Sequence, residues 1–317
     1  MSGESRLPLP GARRANLGLA SVLAVTALLV GAGPAGAAGP GEGGCRPAED
    51  RSGDFDSGLA CEYLLGQVRF GPRPAGSAAN RVQARWIARR LRGAGARAVR
   101  TQTGRRNVVA HVPGTRPGTI VLGAHHDTLR EDGFVGANDG ASGVAVVLAI
   151  ARALPRRVEG PAIRIVLFDA EEARHPRPFS VDGMRGSRRY VALAARSRRR
   201  GGSPPLRSIR AMVLLDMVGD CSLHIPRESN SDRGLYGAFE GAPFTGARGA
   251  VLDDHIPFLR AGIPAVDLID FTYGSQSSPG RFWHTTADTP DKVCQSSLDM
   301  VGEAVLRGLR RIARDLG

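Results

Sequence analysis

Residues 119–128 read TIVLGAHHDT, an apolar run that ends on two imidazoles and a carboxylate. An apolar run without polar alternation is what a strand buried on both faces requires. The construction returns at 163–172, IRIVLFDAEE, and at 211–216, AMVLLD. The spacing predicts strands at 96–101, 107–112, 119–123, 163–168, 211–215 and 265–269. Helical periodicity predicts helices from Phe55 through Leu65 and at 80–91, 142–154, 187–195, 255–261 and 298–316. In the second of these Val82, Trp86, Ile87 and Leu91 are expected on one face, with Trp86 in the core. Strands alternating with helices imply an α/β fold: a three-layer sandwich with a mixed, largely parallel central sheet in a single domain.

In such a sheet the carboxyl ends of the strands share one edge, where ligands bind. His125, His126 and Asp127 follow the first quoted strand, Glu171 and Glu172 the second, and Asp216 ends the third. Asp139, in GANDGASG (136–143), and His284, in WHTTADTPD (283–291), join them from loops. Alternation along the chain turns His126 away from His125. Adjacent carboxylates such as Glu171 and Glu172 repel each other, which is costly at a sheet edge unless a cation lies between them. Imidazoles and carboxylates without thiolates suit zinc or a similar divalent ion. His111, His175 and His224 read as surface or loop residues. His255 reads as a helix-start residue held by Asp254, and Arg198, Arg199 and Arg200 as a solvated loop.

The motifs GAHHDT, GANDGASG, FDAEE, LLDMVG and WHTTADTPD, in this order, resemble the zinc aminopeptidases and glutaminyl cyclases of metallopeptidase family twenty-eight. The resemblance covers residues 71–317. It implies zinc held by His125, Asp139, Glu172, Asp216 and His284, with Asp139 bridging two ions in the aminopeptidase form. It implies Glu171 as general base and Asp127 as the residue that orients His125. Cyclases of this fold normally use one zinc and no water. The segments DDHIPFL (253–259) and FWHT (282–285) resemble the cyclase versions. They imply Asp253 in a proton-shuttling acidic network and Trp283 against the substrate side chain. The segment Ala173-Arg174-His175-Pro176-Arg177 lacks the aromatic that cyclases carry near there. The expectation is an aminopeptidase acting on the N-termini of peptides or proteins. The alternative is a glutaminyl-peptide cyclotransferase, and a third reading is an inactive peptide-binding homologue.

Composition supports a folded domain with a real core over a polyanion binder. The chain has 317 residues, 42% of them hydrophobic, enough for a real core. Its charge of +13 comes from 43 basic residues of which only Lys292 is a lysine. Arginine this dominant, beside abundant Gly and Ala, reads as coding bias, and no nucleic-acid partner is expected.

Arg13 and Arg14 precede a short apolar run and the small-residue stretch 31–38. This describes a secretory signal at 1–37, cleaved near Ala37, then a flexible leader at 38–54 and a catalytic domain at 55–317. Cleavage removes three arginines and one glutamate, and +13 becomes +11. The run falls short of the roughly 20 residues that span a bilayer, so no stable membrane anchor is expected. Four cysteines allow three disulfide connectivities in an exported protein. Cys45 with Cys61 and Cys221 with Cys294 is the expected pairing.

Overall fold

The computed structural model describes residues 44, 45, 47, 53–102, 104, 106–197, 205–239, 241–275 and 277–316. Helices α1 (Ser57–Val68) and α2 (Ala78–Gly93) come first. Strands β1 (Arg97–Thr101), β2 (Val108–Val112) and β3 (Thr119–His125) follow, then helix α3 (Ala141–Ala153). Strand β4 (Ala162–Phe168) leads into α4 (Phe179–Asp182) and α5 (Arg185–Arg196), and β5 (Ile209–Asp216) comes next. Three short elements, β6 (Arg227–Glu228), α6 (Arg233–Tyr236) and β7 (Ala247–Arg248), lie in the stretch that follows β5. Helix α7 (Ile256–Arg260), strand β8 (Ala265–Ile269) and helix α8 (Gln295–Asp315) end the fold.

The main sheet has the order β1-β2-β4-β3-β5-β8. β1, β2 and β4 pair antiparallel, whereas β3 pairs in parallel with β4 and β5, and β5 with β8. The sheet is therefore mixed and largely parallel, as the alternating pattern predicts. Residues of one parity, including Ile120, Leu122, Ile165, Val213 and Val266, form a core with α1, α2, α3 and α8. Those of the other parity, including Val121, Val166, Phe168 and Leu214, pack on Tyr190 of α5 and Phe258 of α7. Helix α3 is buried on nearly every face, which its sequence ASGVAVVLAIARA permits. It approaches β5 closely: a Cβ at Gly143 would lie 2.3 Å from the Leu215 carbonyl oxygen.

Two expectations for α2 need correction. Ile87, Leu91 and Ala84 are buried, but Val82 is 40% exposed. At 100° per residue, Val82 lies 140° around the helix from Ile87, outside the apolar stripe. Trp86 is half-buried rather than in the core, edge-on to Tyr63 and Phe70 with centroids 6.0 and 6.1 Å away.

Both expected disulfides are present, Cys45–Cys61 and Cys221–Cys294. The expected export signal at 1–37 and the arginines at 198–200 lie outside the described residues. Of residues 38–54, Cys45 is described and buried, tied to α1 by its disulfide. Among the described residues, no helix is long and apolar enough to cross a membrane.

Candidate active site

Parallel pairing places the site-bearing ends of three strands together. His125 is opposite Phe168 on β4, and Asp216 opposite Ile269 on β8. The exits of β4 and β5 bend sharply. Ala170 and Met217, next to Glu171 and Asp216, have φ of 62° and 44°, and His284 itself has φ 55°. Non-glycine residues rarely adopt this left-handed region, and its concentration beside carboxylates and imidazole marks a functional site. Gly140 (φ 92°) follows Asp139, and a Cβ there would lie 2.7 Å from the Asp127 carbonyl and 3.0 Å from the His125 ring. Only glycine lets Asp139 approach His125 this way.

Two triads share Asp139. In the first, His125 Nε2 lies 3.2 Å from both Asp139 Oδ1 and Asp216 Oδ1. In the second, His284 Nε2 lies 3.5 Å from both Asp139 Oδ2 and Glu172 Oε2. Each triad is a group that could hold a metal ion. The donor set fits one: tetrahedral zinc with ligands at 2.0–2.1 Å spaces its ligand atoms about 3.3 Å apart. Both Glu172 oxygens are also buried without a hydrogen-bond partner, as is His125 Nδ1. Buried carboxylate oxygens left so are costly unless a cation receives them.

Burial and the crowding of charge shift both imidazoles and the carboxyls of Glu171, Glu172 and Asp253. Burial alone would lower His125, but the Asp216 charge and the carboxylates of Asp127, Asp139 and Asp216 around its ring lift it well above its ordinary value. Burial also works against His284, yet Glu172 and Asp139 raise it to about 9. Glu171 is pushed well above the usual carboxylate range by burial, with repulsion from Asp253 and Glu172 adding to it. Burial and repulsion from Asp267 and Asp216 do the same to Asp253. Glu172 rises to about 6 through burial and the Asp139 charge.

Asp139, Glu171, Glu172, Asp216, Asp253, Trp283 and His284 line one cavity of about 410 Å³. His125 sits behind them, and Trp283 stacks on the His284 ring with centroids 3.8 Å apart. A larger hollow of about 710 Å³ beside α5 and α7 has no acid or imidazole in its lining, so its size implies no chemistry. Asp127 does not line the cavity. It is placed less as a partner of His125, 3.9 Å from Nδ1, than as an acceptor for the backbone N–H groups of Glu171 and Glu172.

His126 points away from the cavity, its Nε2 3.2 Å from the Arg106 carbonyl. His255 starts α7 as expected, but the acids beside it are Glu228, 3.2 Å from Nε2, and Asp267, 3.7 Å from Nδ1, rather than Asp254. His111 is a half-buried strand residue, and His175 is exposed at the cavity mouth.

Other site residues escaped the sequence reading. Asp288 accepts from the N–H groups of Asn138 (2.8 Å) and Asp139 (3.0 Å) and from the Tyr273 hydroxyl (2.7 Å). It thereby fixes the loop that carries Asp139. Arg73 is fully buried beneath this loop, donating to the Val135 and Gly136 carbonyls. Phe179 and Phe271 wall the cavity. Phe179 supplies, two residues past Arg177, an aromatic that 173–177 lacks.

The sequence model of Peptidase family M28 matches residues 107–309. The bovine glutaminyl-peptide cyclotransferase is 26% identical over 235 residues, 61% of this chain and 62% of that protein. The chain thus spans about three fifths of the curated relatives it matches first. The crystal structure of a glutaminyl cyclase from an Acidobacteriales bacterium superposes with a TM-score of 0.73 at 29% identity, covering 85% of this chain and 98% of that one. A Zn-dependent exopeptidase from Parabacteroides distasonis superposes with a TM-score of 0.66 at 25% identity, covering 82% and 99%. The match to the family model extends over more than half the chain and contains every motif that forms the two triads: this chain belongs to peptidase family M28.

Proposed function

We propose that the chain is a zinc-dependent glutaminyl-peptide cyclotransferase that converts N-terminal glutamine of peptides to pyroglutamate. The observation that carries this reading is the pairing of two buried acids, Glu171 and Asp253, in one cavity walled by Trp283, Phe271 and Phe179. The reaction consumes no water. The α-amine attacks its own side-chain amide carbon, a C–N bond closes the ring, and the amide nitrogen leaves as ammonia. One proton must go from the amine to the departing nitrogen. Glu171, whose carboxyl is raised by burial and by Asp253, is suited to take that proton and return it. Asp253 lines the same cavity, and its charge helps hold the Glu171 carboxyl up. Trp283 would pack against the glutamine methylenes, and the apolar walls would exclude water. Asp139, Glu172 and His284 would hold zinc, which supplies Lewis acidity towards the amide oxygen. The cyclase names of the bovine and Acidobacteriales relatives support this reading.

One feature favours the aminopeptidase reading instead: the His125–Asp139–Asp216 triad, a complete second ligand set for the water-activating chemistry of a two-metal hydrolase. One assay separates the two. Purified protein is given a Gln-peptide and Leu-p-nitroanilide side by side, with products followed by mass spectrometry. Loss of ammonia from the Gln-peptide with the Leu anilide intact is the expected result. Release of a free amino acid from either overturns it, and no turnover of both would mark a binding protein. Glu171→Gln should retain metal and lose about 10²–10⁴-fold in kcat, the usual contribution of general acid–base catalysis. The two disulfides suit export to an oxidising compartment, which we infer as the location.

A further inference from the structure

The cavity is ordered by charge along its depth. Its floor is acidic: Asp139, Glu171, Glu172, Asp216 and Asp253 are all buried. Its mouth is not. Residues 173–179 contribute His175 and Arg177, both exposed; Ala250, Val251 and Leu252, which line the same cavity, carry no charge. The basic side is a built turn. Asp182, only 4% exposed, accepts from the Arg174 N–H at 2.8 Å and its Nη2 at 2.6 Å, and it also bonds Arg185. Arg177 Nη1 lies 3.5 Å away with 62% of its side chain exposed. Three guanidinium groups share this one carboxylate, so the turn as a whole is positive. Pro176 and Pro178 restrict its backbone.

A peptide that enters amine first puts its ammonium group on the acidic floor and its second and third residues at the mouth. We propose that Arg177, with His175, selects peptides carrying an acidic side chain at the second or third position. The proposal rests on the reading that a peptide N-terminus occupies this cavity. No acidic residue belongs to the mouth among the described residues of its lining. An incoming Glu or Asp therefore meets only cationic or apolar groups there, whereas an incoming Lys meets Arg177.

The test compares kcat/KM for Gln-Glu, Gln-Ala and Gln-Lys peptides on the wild-type protein, Arg177→Gln and Arg177→Glu. A partly exposed ion pair gives a preference of about two- to fivefold for Gln-Glu over Gln-Lys at low salt. At about 1 M salt, where screening acts within roughly 3 Å, the ratio should fall towards one. Arg177→Gln should flatten the ratio and Arg177→Glu invert it. Affinities of unreactive Ala-Glu and Ala-Lys peptides, read by tryptophan fluorescence, supply the same ratio without turnover. Equal ratios in both assays, or ratios unmoved by either substitution, overturn the proposal. If Gln-peptides are cyclised with no such preference, the cyclase reading survives alone. If the binding preference appears without cyclisation, the mouth proposal survives and the cyclase reading fails.

Discussion

Asp127 lies 3.9 Å from His125, yet its carboxylate is engaged elsewhere: Oδ1 accepts from the Glu171 N–H at 3.0 Å and Oδ2 from the Glu172 N–H at 3.4 Å. One buried side chain on the exit of β3 thus sets the backbone of two adjacent acids on the exit of β4. The left-handed Ala170 before them turns both N–H groups towards Asp127. Backbone N–H pairs in such a turn form an anion-binding concavity, and the carboxylate completes it.

Asp127→Asn should therefore weaken two functions together. Asparagine keeps one acceptor oxygen and sets an NH2 donor against the other backbone N–H, and this donor–donor clash loosens the turn that carries both Glu171 and Glu172. Partners behind metal ligands typically contribute 10–100-fold to metal affinity or activity, and a loss of about that size is expected in each. Competition with a chelator and steady-state kinetics measure them separately. A variant with wild-type values in both would show that the two N–H bonds do not position the site.

Metal removal should destabilise the fold as well as silence it. Asp139 and Glu172 are buried close to each other, and the Asp139 charge helps push Glu172 up. A cation bound only by the folded state stabilises by RT ln(1 + [L]/Kd), about 2.7 kcal/mol at a hundredfold excess over Kd. Chelated protein should unfold at a lower temperature in calorimetry, and added zinc should restore the transition. His284→Ala should abolish most of that zinc-dependent increment. An unchanged Tm after verified metal loss would mean that the triads are satisfied by protonation alone.

Acid stability should carry the signature of Glu228. Burial alone would raise this carboxyl, but bonds from His255, Ser231 and the Asn230 amide bring it from an ordinary 4.5 down to about 2. A carboxyl depressed in the folded state binds its proton more tightly when unfolded. Its stabilisation is therefore full above about pH 4.5 and is lost as pH falls towards 2. Glu228→Gln should lower stability at pH 6 and flatten its decline between these limits in urea titrations at a series of pH values. Parallel curves for both proteins would remove Glu228 from the acid limb.

The inner strands β3, β4 and β5 were legible because they are nearly pure apolar runs, and their ends displayed His125, Glu171, Glu172 and Asp216 in plain order. Val82 misled because a valine within an apolar-periodic helix reads as core until its angle to Ile87 is counted. Asp288 and Arg73 could not be assigned from sequence. Each acts through backbone groups, on the Asn138–Asp139 amides or the Val135–Gly136 carbonyls, and a backbone partner leaves no residue signature. Phe179 and Phe271 come from segments whose path over the sheet edge depends on tertiary packing, and periodicity carries no information about that path. The charge of +13 misdirects for a related reason. It weighs every charged residue alike wherever it lies, whereas the acids that define the site are buried together in one cavity.

The two disulfides should separate stability from activity. Cys221–Cys294 closes a separation of 73 residues and Cys45–Cys61 one of 16. Loop-closure entropy gives about 4 kcal/mol for the first and about 3 for the second. Only the first adjoins the site. The Cys294 N–H donates to the Gly219 carbonyl at 2.9 Å, and the Gly219 N–H donates to Asn138 Oδ1 at 2.8 Å. The bond thus ties the start of α8 to the exit of β5 that carries Asp216, and through Asn138 to Asp139. The double variant Cys221→Ser, Cys294→Ser should lose stability and also metal affinity. The variant Cys45→Ser, Cys61→Ser should lose stability alone, with kcat at the wild-type level below its melting temperature. Denaturant titration and zinc competition on the two variants give both quantities. Equal losses of zinc affinity in the two would show that the Cys221–Cys294 tether acts only through global stability.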